Sequence, residues 1–152
     1  MSQDRYLALL NAYARHRPAH AEVARTQQVV IDGRAVGLWC VPAAADADPG
    51  DGLLVCRTDV ARFAQGLPGA VCRLLLQANN LWAGTHGATL GLRGHDTVML
   101  SAARRIGSLT PASLDALLAG LLVDAQTWTA QLTRRATPAA AGAEAGMLHL
   151  RA

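Results

Sequence analysis

At 152 residues and 15.9 kDa the chain suits one domain, large enough to bury roughly 70% of the surface its unfolded form exposes, and too short for a second. Hydrophobic residues make up 51% of it, mostly alanine and leucine, with aromatics at only 4%, a balance that favours helices on a modest sheet. The net charge of +3 comes from 14 basic residues, all arginine and dispersed, with only Arg104-Arg105 and Arg134-Arg135 adjacent, so no basic tract marks a nucleic-acid footprint.

The N-terminal segment carries Asp4 before its apolar residues and has no long apolar region followed by a cleavage site, so it does not read as a signal peptide. No run approaches the roughly 18 apolar residues of a membrane span. Cys40, Cys56 and Cys72 are an odd set without a CxxC pair, which fits a reducing cytoplasm.

From Asp4 to Arg17 apolar residues fall at Tyr6, Leu7, Leu10, Tyr13 and Ala14, the spacing of a one-faced helix with Ser2 as its N-cap and Pro18 beyond its end. QQVVIDGRAVGLWCV then places Asp32-Gly33 between two β-branched runs, the strongest short hairpin signal. Both runs are apolar on both faces, Val29 and Ile31 against Val30, and Trp39 and Val41 against Val36 and Leu38. That is more than a half-buried sheet needs, and it points either to a bound partner or to the first and third helices covering both faces. Pro42 to Gly52 has loop composition, and Leu53 to Arg57 reads as a third strand.

Gly66-Leu67-Pro68 opens a second helix with proline in its first turn, and its stripe runs through Leu67, Val71, Leu74, Leu75, Ala78, Leu81 and Trp82, widened by Cys72 and Leu76. Gly84 stands where the helix would end with positive φ. Ala88–Arg93 and Thr97–Ser101 form another hairpin around Gly94-His95-Asp96. Thr110 and Pro111 start a third helix with Leu114, Leu117, Leu118, Leu121, Ala125, Trp128 and Leu132 on its inner face, and Arg134 and Arg135 suit its negative end. The expected order is α-β-β-β-α-β-β-α, an α+β protomer with a twisted antiparallel sheet flanked by three helices, followed over residues 136–152 by an Ala/Gly-rich flexible tail.

Reactive chemistry finds little support. Around LWAGTHGATLGL a helix precedes the strand, the reverse of a phosphate-binding loop, and no lysine is present. Gly84-Thr85-His86-Gly87 and Gly91-Leu92-Arg93-Gly94 match the GxxG of KH modules but lack a stacking platform beside them, which leaves an RNA-binding module as one alternative. His16 and His20 have a metal-pair spacing broken by Pro18, so no metal site, cofactor site or catalytic group is assigned. A small enzyme using Cys56 or Cys72 is the other alternative, although a cysteine inside a strand or helix usually packs as a small hydrophobe.

The run LLLQANNLWAGTHGATLGLRGHDTVMLS followed by LDALLAGLLVDAQTWTAQL resembles the core of the Tir-chaperone (CesT-like) family, the small class I chaperones of bacterial type III secretion. LALLNAYA, VVIDGRAVGLW and LLVCR extend the likeness to most of Tyr6 to Leu132, and its most specific part is Leu74 to Leu92. The resemblance implies a cytoplasmic, non-enzymatic homodimer over residues 1–135. It would bind the N-terminal segment of a secreted effector without ATP and without membrane insertion or nucleic acid, with the secretion-system ATPase as a further partner. On matching positions the dimer interface falls on Val71, Leu74, Leu75, Ala78, Leu81, Trp82, Leu90 and Leu92. The effector surface falls on Leu7, Leu10, Val30, Val36, Leu38, Leu53 and Val55, at an exposed strand edge and the first helix.

Overall fold

Asp32 and Gly33 carry φ of +50° and +76°, the left-handed pair a two-residue hairpin requires. They join β1 (Gln28–Ile31) to β2 (Arg34–Val41) in the computed structural model, which describes residues 2–45, 47–48, 52–80 and 85–136. With β3 (Leu53–Arg62), β4 (Thr89–Arg93) and β5 (Thr97–Arg105) they form one antiparallel sheet in the order β1-β2-β3-β5-β4. The helices are α1 (Ser2–His16), a single turn α2 (Val23–Thr26), α3 (Gly69–Asn79) and α4 (Pro111–Ala136). The expected α+β order is therefore present, with α2 added before the first hairpin.

Two strands run further than their composition suggests. β3 continues five residues past Arg57 and β5 four past Ser101, through Asp59, Arg62, Arg104 and Arg105. Past Arg57 the pairing with β2 stops, and on that side Thr58 donates to the Ala35 carbonyl and Arg34 to the Asp59 carbonyl. β5 alone carries the β3 ladder through polar residues, with one irregularity between Asp59 and Ala61. There the Val60 carbonyl accepts from the Thr129 hydroxyl of α4 at 2.9 Å.

Helix starts follow local chemistry. Thr110 and Ser113 cap each other, the Ser113 N–H donating to the Thr110 hydroxyl at 3.2 Å and the Thr110 N–H to the Ser113 hydroxyl at 2.8 Å. Pro68 differs from the expectation: it is extended, outside the first turn of α3, and its carbonyl accepts from the N–H of Val71 and of Cys72. Ser2 likewise lies inside α1 and accepts from the Ala43 N–H.

All three long helices leave one sheet face untouched. α1 packs on β2 and α4, while α4 packs on β3 and β5. Their buried stripes, Tyr6, Leu10 and Tyr13 on α1 and Leu114, Leu118, Leu121, Ala125, Trp128 and Leu132 on α4, close over Val36, Leu38, Leu54, Cys56 and Leu100. Asp115 joins the helices, accepting from the Tyr13 hydroxyl at 3.2 Å and from Arg17 Nε at 2.9 Å. The tail expected over residues 136–152 lies outside the described residues from 137 onward.

Candidate partner-binding surfaces

Strand alternation sorts β2 and β3 by face. Val36, Leu38, Leu54 and Cys56 point to the helices and are fully buried. Their neighbours Trp39, Val41, Leu53, Val55 and Arg57 point the other way, where no helix covers them, and none is buried. Trp39 is 44% exposed, Val41 46% and Val30 56%. Gly37 makes room for the indole: a Cβ there would stand 2.4 Å from the ring's Cη2, so Trp39 lies down along the sheet. The Arg57 guanidinium covers the same ring at 4.9 Å from its centroid and donates through Nε to the Ser101 hydroxyl at 3.3 Å.

The sheet edges are largely closed by side chains. On β1 the Thr26 hydroxyl donates to the Gln28 carbonyl at 3.1 Å and accepts from its N–H at 3.4 Å. Antiparallel alternation leaves Val30 as the outward backbone position there. Where β1 ends, Gln27 turns away with φ of +51°, and the Leu38 carbonyl is met by the Tyr6 hydroxyl at 2.9 Å. On β4 the Asn79 amide pairs with Leu90 twice, accepting from its N–H at 2.9 Å and donating to its carbonyl at 2.7 Å. Leu92, two residues on, keeps an outward backbone. Along β1 and along β4 the edge thus offers one short opening instead of a long template.

A second apolar surface lies at α3 and β4. Val71, Leu75 and Ala78 face inward and are buried, and Leu74 is half-buried. Cys72 and Leu76 lie with Asn79 on a flank of α3 about 100° around from the buried stripe, and Leu76 is 74% exposed. Leu92 is 46% exposed on the strand that Asn79 holds.

Expected site residues divide accordingly. Val30, Leu7, Leu53, Val55, Leu74 and Leu92 retain accessible surface. Leu10, Val36 and Leu38, expected on the effector surface, are fully buried in the protomer's own core. Val71, Leu75, Ala78 and Leu90, expected at the dimer interface, are similarly at most 7% exposed in the protomer. Leu81, Trp82 and Gly84 lie outside the described residues. Trp39, Val41 and Leu76 carry the sequence signal of surplus apolar surface but stand outside the residues assigned to either partner, and Arg57 carries no such signal. Alternation separates Trp39 and Val41 from Val36 and Leu38, but which set meets the helices depends on the far side of the fold.

Burial pushes the Cys56 thiol up to about 12, so at neutral pH it is a protonated core group and a poor nucleophile. Cys72, expected to pack inside its helix, is exposed. The His20 ring stacks on Tyr13 with centroids 6.0 Å apart. Among the described residues no cluster of His, Cys, Asp or Glu could hold a metal ion, and no helix is long and apolar enough to cross a membrane.

Comparison with known proteins places these surfaces in context. A model of the Tir chaperone protein (CesT) family matches residues 43–129, more than half of the chain. The fold is similar to that in the ExsC–ExsE complex (TM-score 0.65, 21% identity, 85% of this chain and 94% of that one). It is also similar to the HopA1–SchA chaperone–effector complex (TM-score 0.61, 20% identity, 83% and 94%). A third likeness is to the Yersinia pestis type III secretion chaperone SycH, solved with a stable fragment of YscM2 (TM-score 0.55, 19% identity, 81% and 98%). No curated protein sequence matches the chain.

Proposed function

The chain belongs to the Tir chaperone protein (CesT) family, and from that premise we propose that it is a type III secretion chaperone of the bacterial cytoplasm. It holds the N-terminal segment of an effector in a form competent for export. The observation that carries this reading is the distribution of the six exposed large hydrophobics among the described residues. Val30, Trp39 and Val41 lie on the bare sheet face, and Leu76 and Leu92 lie at α3 and β4. Only Val123 stands apart, on α4.

The two groups take two partners. The α3 surface joins a second copy of the chain, giving a homodimer with Leu76, Cys72 and Leu92 in the contact. The sheet face receives the effector, with apolar side chains packing on Trp39, Val41 and Val55 and the short strand openings adding main-chain hydrogen bonds. Neither step needs ATP or covalent chemistry. The secretion-system ATPase is a third partner without an assigned surface.

Purified chain mixed with N-terminal segments of about a hundred residues from the native bacterium's secreted proteins tests this by size exclusion with light scattering. At least one segment co-elutes with a dimer; Leu76→Asp yields a monomer, and Trp39→Asp keeps the dimer but loses the segment. A wild-type monomer at micromolar concentration overturns the dimer, and failure to bind any segment overturns the chaperone reading.

A further inference from the structure

Arg57 is the unexplained group on the bare sheet face. It stands in the middle of the central strand β3, in register with Gly37 on β2 and Ser101 on β5. The other arginines around the same depression are committed elsewhere: Arg93 pairs with Asp59, Arg25 with Glu22, and Arg34 donates to the Asp59 carbonyl and to Thr129. Arg57 has the Ser101 hydroxyl and the Trp39 ring, and among the described residues no carboxylate lies within ion-pair distance of it. Ser101 occupies Nε, which leaves the terminal pair of nitrogens, a fork that matches a carboxylate.

The setting is built to hold that fork still. Stacking on the indole restricts the guanidinium, and the indole is itself laid flat by the missing Cβ of Gly37. One row along, Trp39, Val55 and Ala103 form a cross-strand apolar band. Rows two residues apart are separated by roughly 7 Å, the same step that separates like-facing side chains of an extended chain.

Resting on the chaperone reading, we propose that this face selects acidic sequence in its client: an extended effector segment with a carboxylate on Arg57 and an apolar side chain two residues away on the Trp39 and Val55 band. The selection is electrostatic complementarity added to apolar contact, so it sets which segments bind best and weakens with salt.

Fluorescein-labelled peptides alternating valine with glutamate, glutamine or lysine, read by fluorescence polarisation, test it. On the wild-type chain at low salt the glutamate peptide binds about tenfold more tightly than the glutamine peptide, and lysine is worst. Arg57→Gln removes the preference, Arg57→Lys keeps part of it, and Arg57→Glu favours the lysine peptide, with thermal melting confirming that each variant folds. Equal affinity for glutamate and glutamine peptides, or a preference that survives in Arg57→Gln, overturns the proposal, as does binding none of the peptides. Tighter binding of a polyuridine probe than of the glutamate peptide overturns it in favour of nucleic acid. If acidic preference is absent while an effector segment still co-elutes with the chain, the selection falls and the chaperone reading stands. If no effector segment binds either, both fall.

Discussion

Asn79 closes the β4 edge with two hydrogen bonds to Leu90, one donated and one accepted. Each is worth about 0.5–1.5 kcal/mol net, and the peptide group behind them is part-buried, so Asn79→Ala should cost about 1–3 kcal/mol. With a urea m-value of about 2 kcal/mol per molar, the unfolding midpoint falls by roughly 0.5–1.5 M, measured by far-UV circular dichroism at one protein concentration. Asn79→Asp sharpens the test. At neutral pH its carboxylate still accepts from the Leu90 N–H but turns a lone pair toward the Leu90 carbonyl, so the variant is destabilised. Protonation restores a donor, which raises this carboxyl's pKa in the folded state above its unfolded value. The restored stability is therefore present below about pH 4 and lost as pH rises through the folded value. An Asn79→Ala midpoint within about 0.1 M of wild type would refute the reasoning, because water would then serve Leu90 as well as the amide does.

Tyr6→Phe strips the Leu38 carbonyl of its buried partner and should lower stability by about 1–3 kcal/mol, read as a fall of several degrees in the thermal midpoint; an unchanged midpoint counts against that bond. The hydrogen bonds from Arg17, aided by the one from Tyr13, hold the Asp115 carboxyl below its usual range against the opposing effect of burial. Its contribution is then present above the unfolded carboxyl pKa and lost as pH falls through the depressed folded value. The stability gap between wild type and Asp115→Asn should accordingly be constant from pH 6 to 8 and close in strong acid, and a gap that widens in acid would contradict the assignment. In the Leu76→Asp monomer Ellman's reagent should modify Cys72 fastest and Cys40 more slowly, with Cys56 reacting only on unfolding; rapid modification of Cys56 in the folded chain would deny its burial.

What the chain's order of residues determined on its own was local. Asp32-Gly33 needed only its own backbone preference to make a hairpin, Thr110-Pro111 only its neighbours to start α4, and the leucine spacing of α4 marked its inner face before any partner was known. The family likeness was legible too, since it rests on the succession of these elements. Tertiary structure decided the rest, because the answers lie across long stretches of chain. Whether Val36 or Trp39 faces inward is symmetric along β2 and is broken only when α1 and α4 cover one side. Polar residues of β3 and β5 stay in strands because the two pair with each other along their whole length, beyond where β2 and β4 stop, and Asn79 finds Leu90 only once α3 docks beside β4. The bare face with Trp39 and Arg57 exists because the helices pack together on the other side, leaving that surface for another molecule to cover.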